Sequence, residues 1–218
     1  MKFPFVIFSK IFIFPLISLF VKEIIGYQKN VIDRKDLRGK GFIVVVNHIN
    51  SLDHWIISFA LRDRLRSVRF IGALDEPIFW LPSKILYYLA NTIPINRKKI
   101  NRAEFIKKVV PHLEAKKIVV IYPEGTTNRR KFLLRGKTGA VELAIRAGVP
   151  VVPMGMRKGR ALIGRILEFG EPLYFKVTPP LLKSEKEEDA DNFYKFLREK
   201  TDKLMREISK LCQKPYPH

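Results

Sequence analysis

Cysteine is all but missing: Cys212 is the only one in the chain. An intrachain disulfide is therefore excluded and a reducing compartment is compatible. Cys212 stands near the C-terminus, far from any motif, so it reads as an ordinary helix residue and not as a nucleophile. Acidic residues are also scarce, 21 against 41 Lys and Arg, for a formal charge of +20. That imbalance calls for an anionic partner: nucleic acid, an anionic bilayer or an acidic carrier. The sequence has no zinc finger, RNP-like aromatic pattern or basic zipper, which argues against nucleic acid. It has no Gly-x-Ser-x-Gly elbow and no Cys/His/carboxylate spacing suited to a metal. Internal repeats and long linkers are absent too. What is present is apolar: 47% hydrophobic residues with 16 Phe over 218 residues, enough for one domain with a substantial core.

The first apolar feature is Phe3 to Val21, interrupted by Pro4, Ser9, Lys10, Pro15 and Ser18. A straight helix of that length spans about 28 Å, just enough for a hydrocarbon core. Lys10 near its middle opposes a simple span, since a central Lys costs ~2.5–3.5 kcal/mol. Two short helices lying in one leaflet would let Lys10 snorkel. No small-residue cleavage site follows, as a signal peptide would require. The expectation is a helical, monotopic membrane anchor over residues 1–27, followed by an α/β domain over 28–218. Gln28 to Lys40 is charged and turn-like, a junction between the two.

Beyond it, apolar runs alternate with amphipathic stretches. Gly41 to Val46, Val68 to Leu74, Thr92 to Arg97, Ile118 to Tyr122 and Pro150 to Met156 read as strands, with Leu162 to Phe169 pairing beside the last. Helices are expected from Ser51 or Asp53 through Leu65, over Pro77 to Ala90, Ile100 to Ala115 and Lys137 to Ala147 closed by Gly148, and over Lys186 to Leu211. This is an α/β pattern: a mixed, largely parallel sheet flanked by helices, preceded by the membrane-associated segment.

The chemistry centres on Asn47-His48-Ile49-Asn50-Ser51-Leu52-Asp53, where the first strand of this domain gives way to a helix. In an open sheet, such junctions line the working crevice. Asp53 in the first helical turn can fold back on one imidazole nitrogen, leaving the other as a general base. That is half a triad, suited to a reaction in which the substrate's own hydroxyl attacks. The plainer reading makes Ser51 or Asp53 a helix cap and His48 a loop residue. Two further loops, Asn96-Arg97 and Glu124 to Arg130, follow strands and converge on the same end of the sheet. Lys131 to Thr138 imitates the end of a P-loop, but Lys131 stands where the first glycine belongs, so no nucleotide site is expected.

Taken together these residues resemble the glycerolipid acyltransferases, the 1-acylglycerol-3-phosphate acyltransferase family. Asn47-His48 with Asp53, Ile93-Pro94-Ile95-Asn96-Arg97, Tyr122-Pro123-Glu124-Gly125-Thr126 and Val151-Val152-Pro153 match its four motifs in order, and Lys137-Thr138-Gly139 also fits. The resemblance implies that His48, oriented by Asp53, deprotonates a glycerol hydroxyl that attacks an acyl thioester directly. It implies phosphate binding by Arg97, Lys137, Gly125 and Thr126, and an orienting role for Asn47 and Glu124. The implied substrates are lysophosphatidic acid and an acyl thioester of acyl carrier protein or coenzyme A. The implied product is phosphatidic acid; no metal or other cofactor is involved. The implied setting is a lipid bilayer, at the cytoplasmic face of the inner (plasma) membrane. One departure stands out: the family's Arg after Glu-Gly-Thr is here Thr127, with Arg129 and Arg130 close by as candidate replacements. Glycerol 3-phosphate, another lysophospholipid or a lyso-aminolipid is then an alternative acceptor. A basic membrane-binding or nucleic-acid-binding protein is the alternative without catalysis.

Overall fold

The computed structural model describes residues 9–19, 21–25, 37–50, 53–73, 92–96, 99–158, 165–176 and 187–218. A π-helical turn, Ser9–Ile13, runs into a short helix α1, Phe14–Ser18, with Pro15 in its first turn, where a missing N–H costs nothing. Strand β1 is Val21–Ile25 and β2 is Phe42–Val46. Helix α2, Asp53–Ala60, tightens into a 3-10 segment, Arg62–Ser67, so the expected helix through Leu65 loses α geometry at Leu61. Then come β3, Val68–Ala73; β4, Thr92–Ile95; and helix α3, Arg102–Glu114. Strand β5 is Ile118–Ile121 and helix α4 is Gly139–Ala147, ended by Gly148 at φ +61°. Strands β6, Val151–Lys158, and β7, Arg165–Phe169, precede the long helix α5, Glu187–Cys212.

The strands form a seven-stranded sheet in the order β1-β7-β6-β2-β5-β3-β4. Among the described strands, only the β6–β7 pair is antiparallel. In the middle, Val44 stands opposite Val120 of β5 and Val152 of β6. The sheet is covered on both faces, which is why its central strands read as unbroken apolar runs. Alternate residues of β2 divide between two cores. Phe42, Val44 and Val46 pack with Ile56 and Ile57 of α2, whereas Ile43 and Val45 pack with Val109, Leu143 and Leu204 from α3, α4 and α5. Helix α5 comes so close to β6 that a Cβ on Gly155 would lie 2.4 Å from the Cys212 backbone nitrogen. Cys212 is the last residue of that helix and buried, and its burial pushes the thiol pKa up. It is unreactive packing, not a nucleophile.

The helical reading of residues 1–27 requires one correction. Residues 21–25 are a strand, paired in parallel with β7 at the sheet edge. β-branched Val21, Ile24 and Ile25 favour extended backbone, and the partner strand supplies the hydrogen bonds that an apolar run would otherwise find in a helix. Among the described residues no helix is long and apolar enough to cross a membrane. The helix expected over Pro77 to Ala90, and Arg97 with it, lie outside the described residues.

Candidate active site

The site is assembled where β2, β3, β4 and β5 end. Asn47 fixes the end of β2. Its side-chain amide donates to Met156 O at 2.9 Å and accepts from Met156 N–H at 2.8 Å, adding one more rung to the β2–β6 pairing. His48 is therefore the first residue to leave the sheet. Ile49 and Asn50 then turn their main-chain N–H groups onto the buried Asp53 carboxylate. Asp53 Oδ2 accepts from the N–H groups of Ile49 and Asn50 at 2.6 and 3.0 Å, and faces His48 Nδ1 at 2.7 Å. Asp53 is thus held by its own loop, which in turn fixes the imidazole. With Nδ1–H donated to the carboxylate, Nε2 carries the lone pair, and His48 lines a cavity of about 530 Å³.

The imidazole is held on its flat side as well. It stacks on the Tyr122 ring, with centroids 4.1 Å apart and planes 18° off parallel. His54 closes an aromatic cluster, edge-on to Tyr122 at 5.4 Å and 4.9 Å from Phe70. Burial, and then the Asp53 charge, push the Tyr122 phenol pKa well above its usual value. Tyr122 is a neutral wall at any working pH, not a rival base.

The β5 loop grips His48 through the main chain. Glu124 Oε1 accepts the His48 N–H at 3.4 Å, and the Asn128 N–H donates to His48 O at 2.7 Å. Glu124 Oε2 accepts from Asn128 Nδ2 at 2.5 Å and from Leu134 N–H at 2.9 Å. The buried Glu124 carboxylate therefore faces away from the cavity and braces two loops against each other. Gly125 has φ +71° and donates its N–H to Tyr122 O at 3.1 Å. A Cβ there would also meet Lys137 Cε at 2.7 Å, so only glycine lets the Lys137 stem cross the loop. Lys137 itself is anchored by its N–H to Pro123 O at 2.8 Å.

His48, Gly125, Thr126, Thr127 and Lys137 line one cavity. Its apolar wall is Ile71, Ile95, Ile100, Ile121 and Phe105. Arg129 and Arg130 are not brought to it; they line a neighbouring depression with Asn50 and Leu134, and the Arg130 guanidinium lies over the Phe132 ring. Thr126 and Thr127 form the ridge shared by the two. Sequence reasoning missed His54, Asn128, Arg102 and Glu142. His54 follows Asp53 directly and Asn128 stands four positions after Glu124, which were the available clues; Arg102 and Glu142 are placed by a contact between distant elements. Among the described residues, no group of three or more His, Cys, Asp or Glu is arranged to hold a metal. The arrangement offers a positioned base, a nearby cation and an apolar wall, and its hydroxyls are those of threonines and tyrosines.

A family model described as Acyltransferase matches residues 28–157, more than half of the chain. The chain belongs to the acyltransferase family. Among its relatives is the 1-acyl-sn-glycerol-3-phosphate acyltransferase of Haemophilus influenzae, 30% identical over 145 residues, covering 65% of this chain and 55% of that protein. The Escherichia coli protein of the same name is 33% identical over 115 residues, 51% of this chain and 45% of its own length. The chain thus spans about half the length of these curated relatives. The crystal structure of the 1-acyl-sn-glycerophosphate (LPA) acyltransferase PlsC from Thermotoga maritima covers 96% of this chain and 79% of its own at a TM-score of 0.57. At 17% identity that likeness establishes the fold alone. The motif residues of this acyltransferase family chain, His48, Asp53, Glu124, Gly125 and Lys137, all fall within the matched region.

Proposed function

We propose that the chain transfers a fatty acyl group from an acyl thioester to the free hydroxyl of 1-acylglycerol 3-phosphate, making phosphatidic acid. The observation that carries this reading is the His48–Asp53 dyad at 2.7 Å, set on a cavity that also holds Lys137. The acceptor hydroxyl lies against His48 Nε2, which takes its proton as the oxygen attacks the thioester carbonyl carbon. The tetrahedral intermediate collapses with loss of the C–S bond, and the imidazolium returns the proton to the departing thiolate. Asp53 stabilises that imidazolium without taking the proton. Lys137 and Arg97 neutralise the acceptor phosphate, and the apolar wall takes acyl chain. No enzyme nucleophile is required. The donor is a thioester of acyl carrier protein or coenzyme A, both anionic and so matched to a chain of charge +20.

The same reading places the protein on a bilayer, at the cytoplasmic face of the inner membrane where such donors are available. Exposed Ile11, Phe12, Leu16 and Leu19 around α1 support this, being large apolar side chains brought together at the surface. The test is mass spectrometry of products from the purified full chain, offered lysophosphatidic acid, glycerol 3-phosphate, other lysophospholipids and a lyso-aminolipid with each donor. Phosphatidic acid as the main product is the expected result. Efficient acylation of only the other acceptors would reject the assignment, and no acyl transfer from either donor would reject the activity.

A further inference from the structure

Among the described residues lining the His48 cavity, the permanent cations are Lys137 and Arg102. Arg102 comes from the first turn of α3. Asn101 caps that turn: its Oδ1 accepts the Glu104 N–H at 2.9 Å, and Glu104 reaches back to the Asn101 N–H. The Arg102 stem is held as well. Its Nε donates to Glu142 Oε2 at 2.5 Å, and its guanidinium lies 5.6 Å from the Phe193 ring centre. Glu142 is almost wholly buried in α4 and lines the same cavity. It is shared, since Oε1 accepts from Arg146 Nε at 2.8 Å. One carboxylate between two guanidiniums leaves the trio with one net positive charge. The bond to Glu142 uses Nε alone, and the Arg102 side chain remains 52% exposed, so its terminal nitrogens form a fork suited to a phosphate.

The other groups at and beside the cavity suit a phosphate less well. Thr127 offers a hydroxyl and no charge, Arg129 and Arg130 line the other depression, and the Gly125 N–H is given to Tyr122. A phosphate monoester brings nearly two negative charges, more than Lys137 alone can match among the described residues, and Arg97, assigned to the same phosphate above, lies outside them. We propose that Arg102, positioned by Glu142, is a phosphate ligand of the acceptor and fixes specificity for a phosphate-monoester head group. This rests on the acyltransferase reading for the identity of the acceptor, but not for the presence of an anion site.

Two arms test it with the full chain. In the kinetic arm, Arg102→Ala raises the KM for a short-chain lysophosphatidic acid roughly ten- to hundredfold, leaves the donor KM unchanged, and changes kcat little. Activity towards the monoacylglycerol of the same chain length does not fall further. Arg102→Lys recovers part of the loss, and Glu142→Gln gives an intermediate KM; a thermal melt of each variant confirms that it is folded. In the binding arm, dodecyl phosphate, which has no acceptor hydroxyl, binds the parent and loses affinity by the same factor in Arg102→Ala, as read by calorimetry. An unchanged acceptor KM with unchanged dodecyl phosphate binding overturns the proposal. A rise confined to the donor KM also overturns it, since Arg102 would then read the donor's phosphate. If the parent makes no phosphatidic acid but dodecyl phosphate binding still depends on Arg102, the anion site stands and the acyltransferase reading falls.

Discussion

At the scale of single residues the chemistry rests on one carboxylate oxygen. Asp53 Oδ2 meets two backbone N–H groups and the imidazole at once, so it shapes its loop as well as orienting the base. An amide at position 53 can still accept from the two backbone groups through its oxygen, and the loop survives. It can no longer offer a charge to the imidazolium. Asp53→Asn is therefore expected to keep its melting temperature within a few degrees and lose kcat by up to ~10⁴, the cost of the comparable change in the Ser-His-Asp template. His48→Ala is expected to reduce turnover to background, and rapid-quench experiments with labelled donor to trap no acyl-enzyme. A covalent acyl adduct would replace direct attack with a two-step mechanism. This pair was legible in the sequence because its members stand five positions apart across a strand-to-helix junction. Arg102 and Glu142, forty positions apart, were not: nothing local shows that the first turns of α3 and α4 meet over the cavity.

At the scale of elements, the strands were readable wherever both faces are buried, because a doubly covered strand needs apolar residues throughout. β1 was not, since an apolar run beside another reads as helix until a pairing partner some 140 residues away is known. The loop after β5 gives the sharpest element-scale test. Gly125 has φ +71°, and a methyl group there would force the Lys137 stem aside. The left-handed backbone alone costs a non-glycine residue about 1–2 kcal/mol. Gly125→Ala is expected to lower the melting temperature by about 2–8 °C for a chain of this size, and to raise the acceptor KM more than it lowers kcat. An unchanged acceptor KM would show that the Lys137 position over the loop does not matter to substrate. Glu124→Gln is expected to act differently. The buried brace loses its charge while its donors from Asn128, Leu134 and His48 remain, at a cost of ~1–3 kcal/mol in stability. Its effect on KM should be equal for phosphate and phosphate-free acceptors.

At the scale of the whole molecule, charge and exposed apolar surface lie side by side. Ile11, Phe12, Leu16 and Leu19 are exposed, while Phe14 and Ile17, on the inward side of the same segment, are buried, Phe14 edge-on to Phe59 at 5.5 Å. The segment is thus fastened to the domain by one side and leaves the other on the surface, the side proposed to meet lipid. Beside it, Lys10 borders a depression with Arg62, Arg64 and Arg66, where Asp63 is the one acid among the described residues. The apolar and cationic contributions can be separated, because they respond to different variables. Inserting one such side chain into lipid is worth ~1.5–3 kcal/mol, so removing Phe12 and Leu16 together costs roughly 3–6 kcal/mol, two to four orders of magnitude in partition. Each cation near an anionic surface contributes ~1 kcal/mol at most and is screened by salt. Phe12→Ser with Leu16→Ser is therefore expected to abolish flotation with neutral and anionic vesicles alike, and at any salt concentration. Arg64→Gln with Arg66→Gln is expected to weaken binding to anionic vesicles by up to about thirtyfold at low salt and to change neutral vesicles little. Both variants should still acylate a short-chain acceptor dispersed below its critical micelle concentration, because neither pair touches the His48 cavity. If the Phe12 and Leu16 variant floats as fully as the parent with neutral vesicles, the apolar side of this segment is not the membrane contact, and the bilayer must be held elsewhere on the chain.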